Sequence, residues 1–516
     1  LEHLERAKSS PYFARCDVDI QGESGRQTLY FGKFSLPDLA IYSWATPAAR
    51  IRFNAPGAFS YVSETDKNVT GDLQRVDQYL IAQKHIRFMS TTTNGEARTL
   101  VYQEKFSTHK SEFMLPEIVA SMEKAQDDII RADAFGSFLI SGPAGSGKTT
   151  LALHRIAYLL QAPEHAEQFD ARTILVLVQD AHSKKYFESL LPSLGIMDVG
   201  ISTFDIWAMD LLGIKKGTYV PQYGHTERER DLLVASKYRA LQDSVEYGKD
   251  HFAVLENAYE HFTDEERKTF ARQKKEKCFD RVDLTLLLKA KLHTEGVLKV
   301  RGRIVSPKVD GTFRTRKGDV ALEYALMLVD EVQNYLPEQI AILQSCISAD
   351  TKAMTYVGDL AQQTTLFTLR DWTHVGEEFS EGRMVRLEKV YRSTRPILEY
   401  IRSHGFAIEI PDGIRDGEAA REDAVSNREG EKAVRALGEK EKEVLCLITA
   451  RKQEALETIA DLSSDRCKVM TAVEAQGLEF DVVICMQDGV AINDDYVDTL
   501  REEKKRIMRD QLYVAL

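Results

Sequence analysis

Short apolar runs punctuate this chain at wide intervals, each ending in polar or glycine-bearing sequence: Ile174–Val178, Leu326–Val329, Met354–Val357, Val444–Ile448 and Val482–Cys485. Apolar runs this short, without alternation, predict strands buried on both faces. The helical spacing between them predicts crossovers, and so parallel strands in α/β layers. Ser137–Ile140 is a further strand of this kind, followed by an amphipathic helix from Thr149 to Leu160. Ile118–Ile130 also has its apolar residues at helical spacing. Up to about residue 105 the pattern differs. Gln27–Gly32, Leu39–Trp44 and Ala48–Phe53 carry β-branched or aromatic residues between Gly and Pro, which predicts a separate β-rich module. From Asp205 to about Ala321 the pattern is helical and then strongly basic, as in an inserted domain. Residues 415–443 are charge-rich with few large apolar side chains, and read as a solvated helix or a connector.

A chain of 516 residues has room for several cores. No stretch approaches the roughly 20 apolar residues of a membrane span, which excludes a transmembrane protein. The cysteines Cys16, Cys278, Cys346, Cys446, Cys467 and Cys485 are far apart, without zinc-ligand spacing, and read as reduced cytosolic thiols. A net charge of -12 makes any nucleic-acid contact the work of a local groove. The chain opens on Leu1 rather than Met, so an upstream segment is expected.

The chemistry concentrates in a few segments. Gly142, Pro143, Ala144, Gly145, Ser146, Gly147, Lys148 and Thr149 form a complete phosphate-binding loop, with Thr150 next in the helix that leaves it. Loop amides and the helix N-terminus cradle phosphates; Lys148 neutralises them and the Thr149 hydroxyl ligates magnesium. Asp330 and Glu331 end an apolar strand, so that one carboxylate can hold the metal and the other can activate water. A third strand ends at Gly358 and Asp359, with Gln362 suited to sense a γ-phosphate. Tyr391 beside Arg392 offers base stacking and a charge for the transferring phosphoryl group.

Taken in order, these motifs and Thr471–Asp481 resemble the UvrD/Rep branch of superfamily 1 helicases. The resemblance implies ATP and Mg2+ as ligands and an ATP hydrolase. It implies an α/β fold of two RecA-like lobes, the second incomplete at its C-terminal end, with a helical and basic insert and an N-terminal β-rich module. The implied division is 1–110 for that module, 111–204 with 322–378 for the first lobe, 205–321 for the insert and 379–516 for the second lobe. Carried over, Gln126 reads adenine, Asp330 holds magnesium, Glu331 activates water, Gln362 contacts the γ-phosphate, Tyr391 stacks on adenine and Arg392 is an arginine finger. Thr471 touches nucleic acid, and Gly477 and Glu479 couple that contact to the nucleotide.

A narrower resemblance lies at the N-terminal end. Pro11–Arg15, Tyr42–Ala49 and the stretch to Tyr79 are similar to the segment before the motor in HelD-type ATPases, which release bacterial RNA polymerase from stalled complexes. Two departures stand out. The family's D-E-A-Q-D ends here in Asn334, and the last motif, Y-V-A-L-T-R, stops at Leu516 before its arginine, so the second lobe is expected to continue.

For nucleic acid, Lys299 to Gly318 carries seven cations against Asp310, a net of +6, with a turn signal at Val309–Thr312. Arg301, Arg303, Arg314 and Arg316 fit a phosphate grip or a solvated loop. Phe367 fits a base-stacking aromatic or a core position. Three readings stay open: a DNA translocase or helicase, a remodeller of RNA polymerase, and a nucleotide-binding scaffold without turnover. All three imply a cytoplasmic protein with no membrane partner; oligomeric state is beyond the sequence.

Overall fold

The structure, a computed structural model, describes residues 10–82, 85–92, 124–143, 145–307, 313–387, 393–406, 427–440, 445–449, 467–476, 482–486 and 496–515, with a few short pieces between 408 and 480. It is a mixed α/β protein in which two parallel sheets carry the predicted apolar runs.

The N-terminal sheet contains β1 (Ala14–Ile20), β2 (Gln27–Gly32), β3 (Ile41–Ser43), β4 (Gly57–Val62), β5 (Asn68–Ala82) and β6 (His85–Thr92), in the order β3-β2-β1-β5-β4 with β6 also on β5. Ala48–Phe53 is not a strand. Pro47–Phe53 is a 3-10 helix with Pro47 in its first turn, where the fixed φ of proline suits a helix and its missing N–H costs nothing. Nor is this sheet separate. Trp44, Ala49 and Ile51 lie in one apolar core with Phe138, Ile140, Leu153 and Ile156.

The first parallel sheet contains β7 (Ser137–Ser141), β8 (Ile174–Val178), β9 (Gly200–Thr203), β12 (Leu326–Val329), β13 (Ala353–Gly358) and β14 (Met384–Arg386), ordered β14-β7-β13-β12-β8-β9. Every residue of β8, β12 and β13 is buried, as expected of a parallel sheet covered on both faces. The edge strand β14 pairs with β7 from beyond the 378 boundary read from the sequence.

Between β9 and β12 run the helices Phe204–Leu212, Glu227–Ala240, His251–Ala258, Asp264–Glu276 and Arg281–Glu295. Three of them meet at Lys237, whose buried ammonium donates to Gln273 at 2.8 Å, Asp280 at 2.6 Å and Asp283 at 2.9 Å. After them, β10 (Lys299–Pro307) and β11 (Phe313–Ala321) form a two-stranded ribbon. The second parallel sheet is β16-β15-β17, from β15 (Leu445–Thr449), β16 (Cys467–Met470) and β17 (Val482–Met486). Among the described residues no helix is long and apolar enough to cross a membrane.

Candidate nucleotide site

Strand β7 delivers the chain to the phosphate loop, and the helix Lys148–Gln161 carries it away. Two glycines are indispensable to this turn. Gly142 has φ 151°, and a Cβ there would lie 2.3 Å from the Leu387 carbonyl oxygen, so the backbone after β14 crosses where only glycine fits. Gly147, with φ 86°, is the left-handed residue that turns the loop into the helix. Ala144 lies outside the described residues.

The loop is short of partners in the way a phosphate site is. The Lys148 ammonium is buried and donates to the Pro143 carbonyl at 2.9 Å, and it is in no ion pair among the described residues. Ser146 Oγ is buried without a hydrogen-bond partner among the described residues. A buried cation and an orphaned hydroxyl beside a helix N-terminus suit a polyanion.

The sheet order places β13 between β7 and β12, and the carboxyl ends of all three strands converge. Thr149 Oγ1 donates to Asp330 Oδ1 at 3.1 Å. Burial raises the Asp330 pKa above the ordinary carboxylate range, and the neighbouring Glu331 charge raises it further against the opposing pull of Lys148. A hydroxyl and a desolvated carboxylate short of positive charge are hard oxygen donors of the kind magnesium takes. Glu331 follows with φ 49°, a left-handed conformation that is costly for a side-chain residue.

Strand β13 supports that carboxylate. Gln333 donates to Glu331 Oε2 at 2.5 Å and accepts from the Asp359 backbone N–H at 3.1 Å. A Cβ on Gly358 would lie 2.1 Å from Gln333 Oε1, so this glycine leaves room for the glutamine. Gln362 is buried and donates to Asp359 Oδ2 at 2.7 Å.

Other expected residues are placed differently. Gln126 is half-buried on the helix Lys124–Ile130. The carbonyls at the end of that helix accept from Arg155 of the phosphate-loop helix: Ile130 at 3.1 Å and Ala132 at 2.8 Å. The carbonyl of Thr150 accepts from His154 Nδ1 at 2.7 Å. Phe367 has φ 60° and stacks on Tyr238 with ring centroids 4.7 Å apart, and Glu503 accepts from its N–H at 2.8 Å. Thr471 caps the short helix Ala472–Ala475. Arg301, Arg303 and Arg316 are exposed on the ribbon, and Arg314 pairs with Ser306 through its backbone. Tyr391, Arg392, Gly477 and Glu479 lie outside the described residues.

One polar residue at this site carried no motif signal of its own. Gln476 sits inside the Thr471–Asp481 segment and is buried against Asn334, Thr364, Gln179, Gln362 and Glu331. A polar residue just before Gly477 in a conspicuous segment was the available clue.

A family model described as an AAA domain, of the kind found in UvrD/Rep-like helicases, matches residues 125–368. No curated protein matches the chain. The matched span contains the phosphate loop, Asp330, Glu331 and Gln362. The match spans a little under half of the chain and, with this geometry, supports a P-loop nucleoside triphosphatase of the helicase-like superfamily.

Proposed function

We propose that this chain hydrolyses ATP and couples the cycle to movement along DNA, as a translocase or helicase-like motor of the UvrD/Rep type. The observation that carries the reading is the pairing of Thr149 with Asp330 beside a lysine and a serine that have no anionic partner among the described residues. In this reading the loop amides and Lys148 hold the triphosphate. Thr149 and Asp330 are the residues that would hold magnesium, which would supply positive charge to offset that of the phosphates. Glu331 accepts the proton of the attacking water, while Gln362 hydrogen-bonds the γ-phosphate. By resemblance, Gln126 and Tyr391 take the adenine, Arg392 takes the charge on the transferring phosphoryl group, and Gly477 and Glu479 connect nucleotide to nucleic acid. The two parallel sheets correspond to the two RecA-like lobes whose closure delivers the work.

The basic ribbon supports DNA as the track. The register pairs Arg303 with Lys317 and Arg301 with Asp319, which puts Lys299, Arg301, Arg303 and Lys317 on one face and Arg316 on the other. Neighbouring same-face residues on a strand are about 6.6 Å apart, close to the spacing of phosphates along an extended strand.

A second reading, a HelD-like ATPase that remodels or releases RNA polymerase with little unwinding, draws on the N-terminal sheet. Arg131 donates to the backbone carbonyls of Trp44 at 2.5 Å and Ala45 at 3.2 Å, and Trp44 Nε1 donates to Gln161 at 3.2 Å at the end of the phosphate-loop helix. A partner gripping this sheet would act on the nucleotide site through shared packing. ATPase rates measured alone, with single-stranded DNA and with RNA polymerase separate the readings. Stimulation by DNA with strand separation supports the motor, whereas stimulation by polymerase and indifference to DNA supports the remodeller. Turnover that persists in Lys148→Ala contradicts both.

A further inference from the structure

The geometry points to Gln476 as a positioning residue for Glu331, with Asn334 setting the orientation in which it works. This rests on the ATPase reading above and adds to it the residue through which the β15–β17 sheet acts on the hydrolytic carboxylate.

One donor in this cluster has no choice of role. The Thr364 backbone N–H can only donate, and it lies 3.2 Å from Asn334 Oδ1. That fixes the Asn334 amide with its oxygen toward Thr364 and its nitrogen outward. Asn334 Nδ2 then donates to Gln476 Oε1 at 2.8 Å. Gln179 Nε2 donates to the same oxygen at 3.1 Å. The Thr364 hydroxyl is 3.1 Å from both Asn334 Oδ1 and Gln476 Oε1, and its single proton serves one of them at a time.

With its oxygen committed, Gln476 must present its nitrogen on the other side. There it meets two groups that only accept: the Gln362 carbonyl at 3.3 Å and Glu331 Oε2 at 3.5 Å. The latter contact is long, as catalytic hydrogen bonds commonly are before substrate tightens the site. A flipped amide would set oxygen against carboxylate and carbonyl, so the orientation is determined.

Gln333 reaches the same Glu331 oxygen and is locked in turn by the Asp359 N–H. Two carboxamides therefore converge on Oε2, while Oε1 has no partner among the described residues and remains for the attacking water. The two differ in origin. Gln333 belongs to the segment after β12, but Gln476 follows β16 in the other sheet. Glu331 Oε2 is held by both carboxamides only when the two sheets are together, so hydrolysis depends on their docking. Asn334, which departs from the family's aspartate, belongs to the same device. An aspartate there offers no proton to Gln476 and favours the flipped amide.

The test is steady-state ATP hydrolysis by the full chain, with nucleotide affinity and thermal midpoint measured alongside. Gln476→Leu and Asn334→Asp should each lower kcat about tenfold, the effect of one hydrogen bond, with nucleotide affinity held within twofold. In Asn334→Asp combined with Gln476→Lys, an ammonium can donate to both carboxylates, and most of the lost kcat should return, a non-additive rescue that a packing defect would not show. If Gln476→Leu fails to fold, Asn334→Asp and the double variant decide the matter. A wild-type kcat in either single variant, or a double variant as slow as its parents, overturns the inference. Wild-type protein that binds ATP without hydrolysing it overturns the ATPase reading instead.

Discussion

Thr149 Oγ1 lies 3.1 Å from Asp330 Oδ1 although 181 positions separate them in the chain. The contact exists because β7 and β12 run parallel with one strand between them, so that the loop after one faces the carboxylate ending the other. Asp330 is poorly suited to this place when the site holds no cation, being desolvated and next to Glu331. Asp330→Asn should therefore raise the thermal midpoint of the nucleotide-free protein while lowering magnesium-dependent turnover at least ~100-fold. Calorimetry and an ATPase assay on one preparation check both halves, and a lowered midpoint would speak against the electrostatic account.

The phosphate-loop helix also supports the Gln126 helix. Arg155 is buried, its guanidinium lies 4.4 Å from the centre of the Phe138 ring, and it donates to the carbonyls that end Lys124–Ile130. Burial lowers its pKa to about 10, still far above neutrality, so it stays charged. Arg155→Met keeps the volume, removes every donor, and should cost about 3 kcal/mol of stability in denaturant unfolding.

His154 makes stability depend on pH. It is buried on the phosphate-loop helix near Trp44, and burial lowers its pKa from 6.5 to about 4 against the raising effect of its bond to the Thr150 carbonyl, with Lys33 lowering it further. The unfolded chain takes up this proton below pH 6.5 and the folded chain does not until about pH 4, so stability falls as pH falls through that window. The loss amounts to about 3 kcal/mol at the acid end. Unfolding midpoints between pH 7 and 5 should decline in the wild type and decline less in His154→Leu.

The two faces of the ribbon predict different salt behaviour. Replacing Arg301, Arg303 and Lys317 by alanine should reduce the slope of log affinity for single-stranded DNA against log salt by about 2, whereas Arg316→Ala on the opposite face should leave it nearly unchanged. Equal effects from the two faces would mean a general charge effect and no defined track.

The sequence was most informative where local rules suffice. Ile174–Val178, Leu326–Val329 and Ser137–Ile140 read as strands because short, largely apolar runs have few alternatives, and the glycines of the phosphate loop announce their own geometry. Ala48–Phe53 misled because its β-branched and aromatic residues outweighed Pro47, which starts a helix. The unity of the N-terminal sheet with the first parallel sheet was invisible, since no pattern in Trp44 or Ile51 says which surface they bury against. Gln476 and Asn334 are 142 positions apart, and their bond arises only from the way the two sheets meet.

The most direct measurement is single-turnover ATP hydrolysis by the wild type and by Glu331→Gln, at magnesium and ATP concentrations that saturate binding. Glutamine keeps the shape of Glu331 and cannot take the proton from water. The account predicts ATP binding within a few-fold of wild type and a chemical step slowed at least ~100-fold. A variant that hydrolyses bound ATP at the wild-type rate would contradict it.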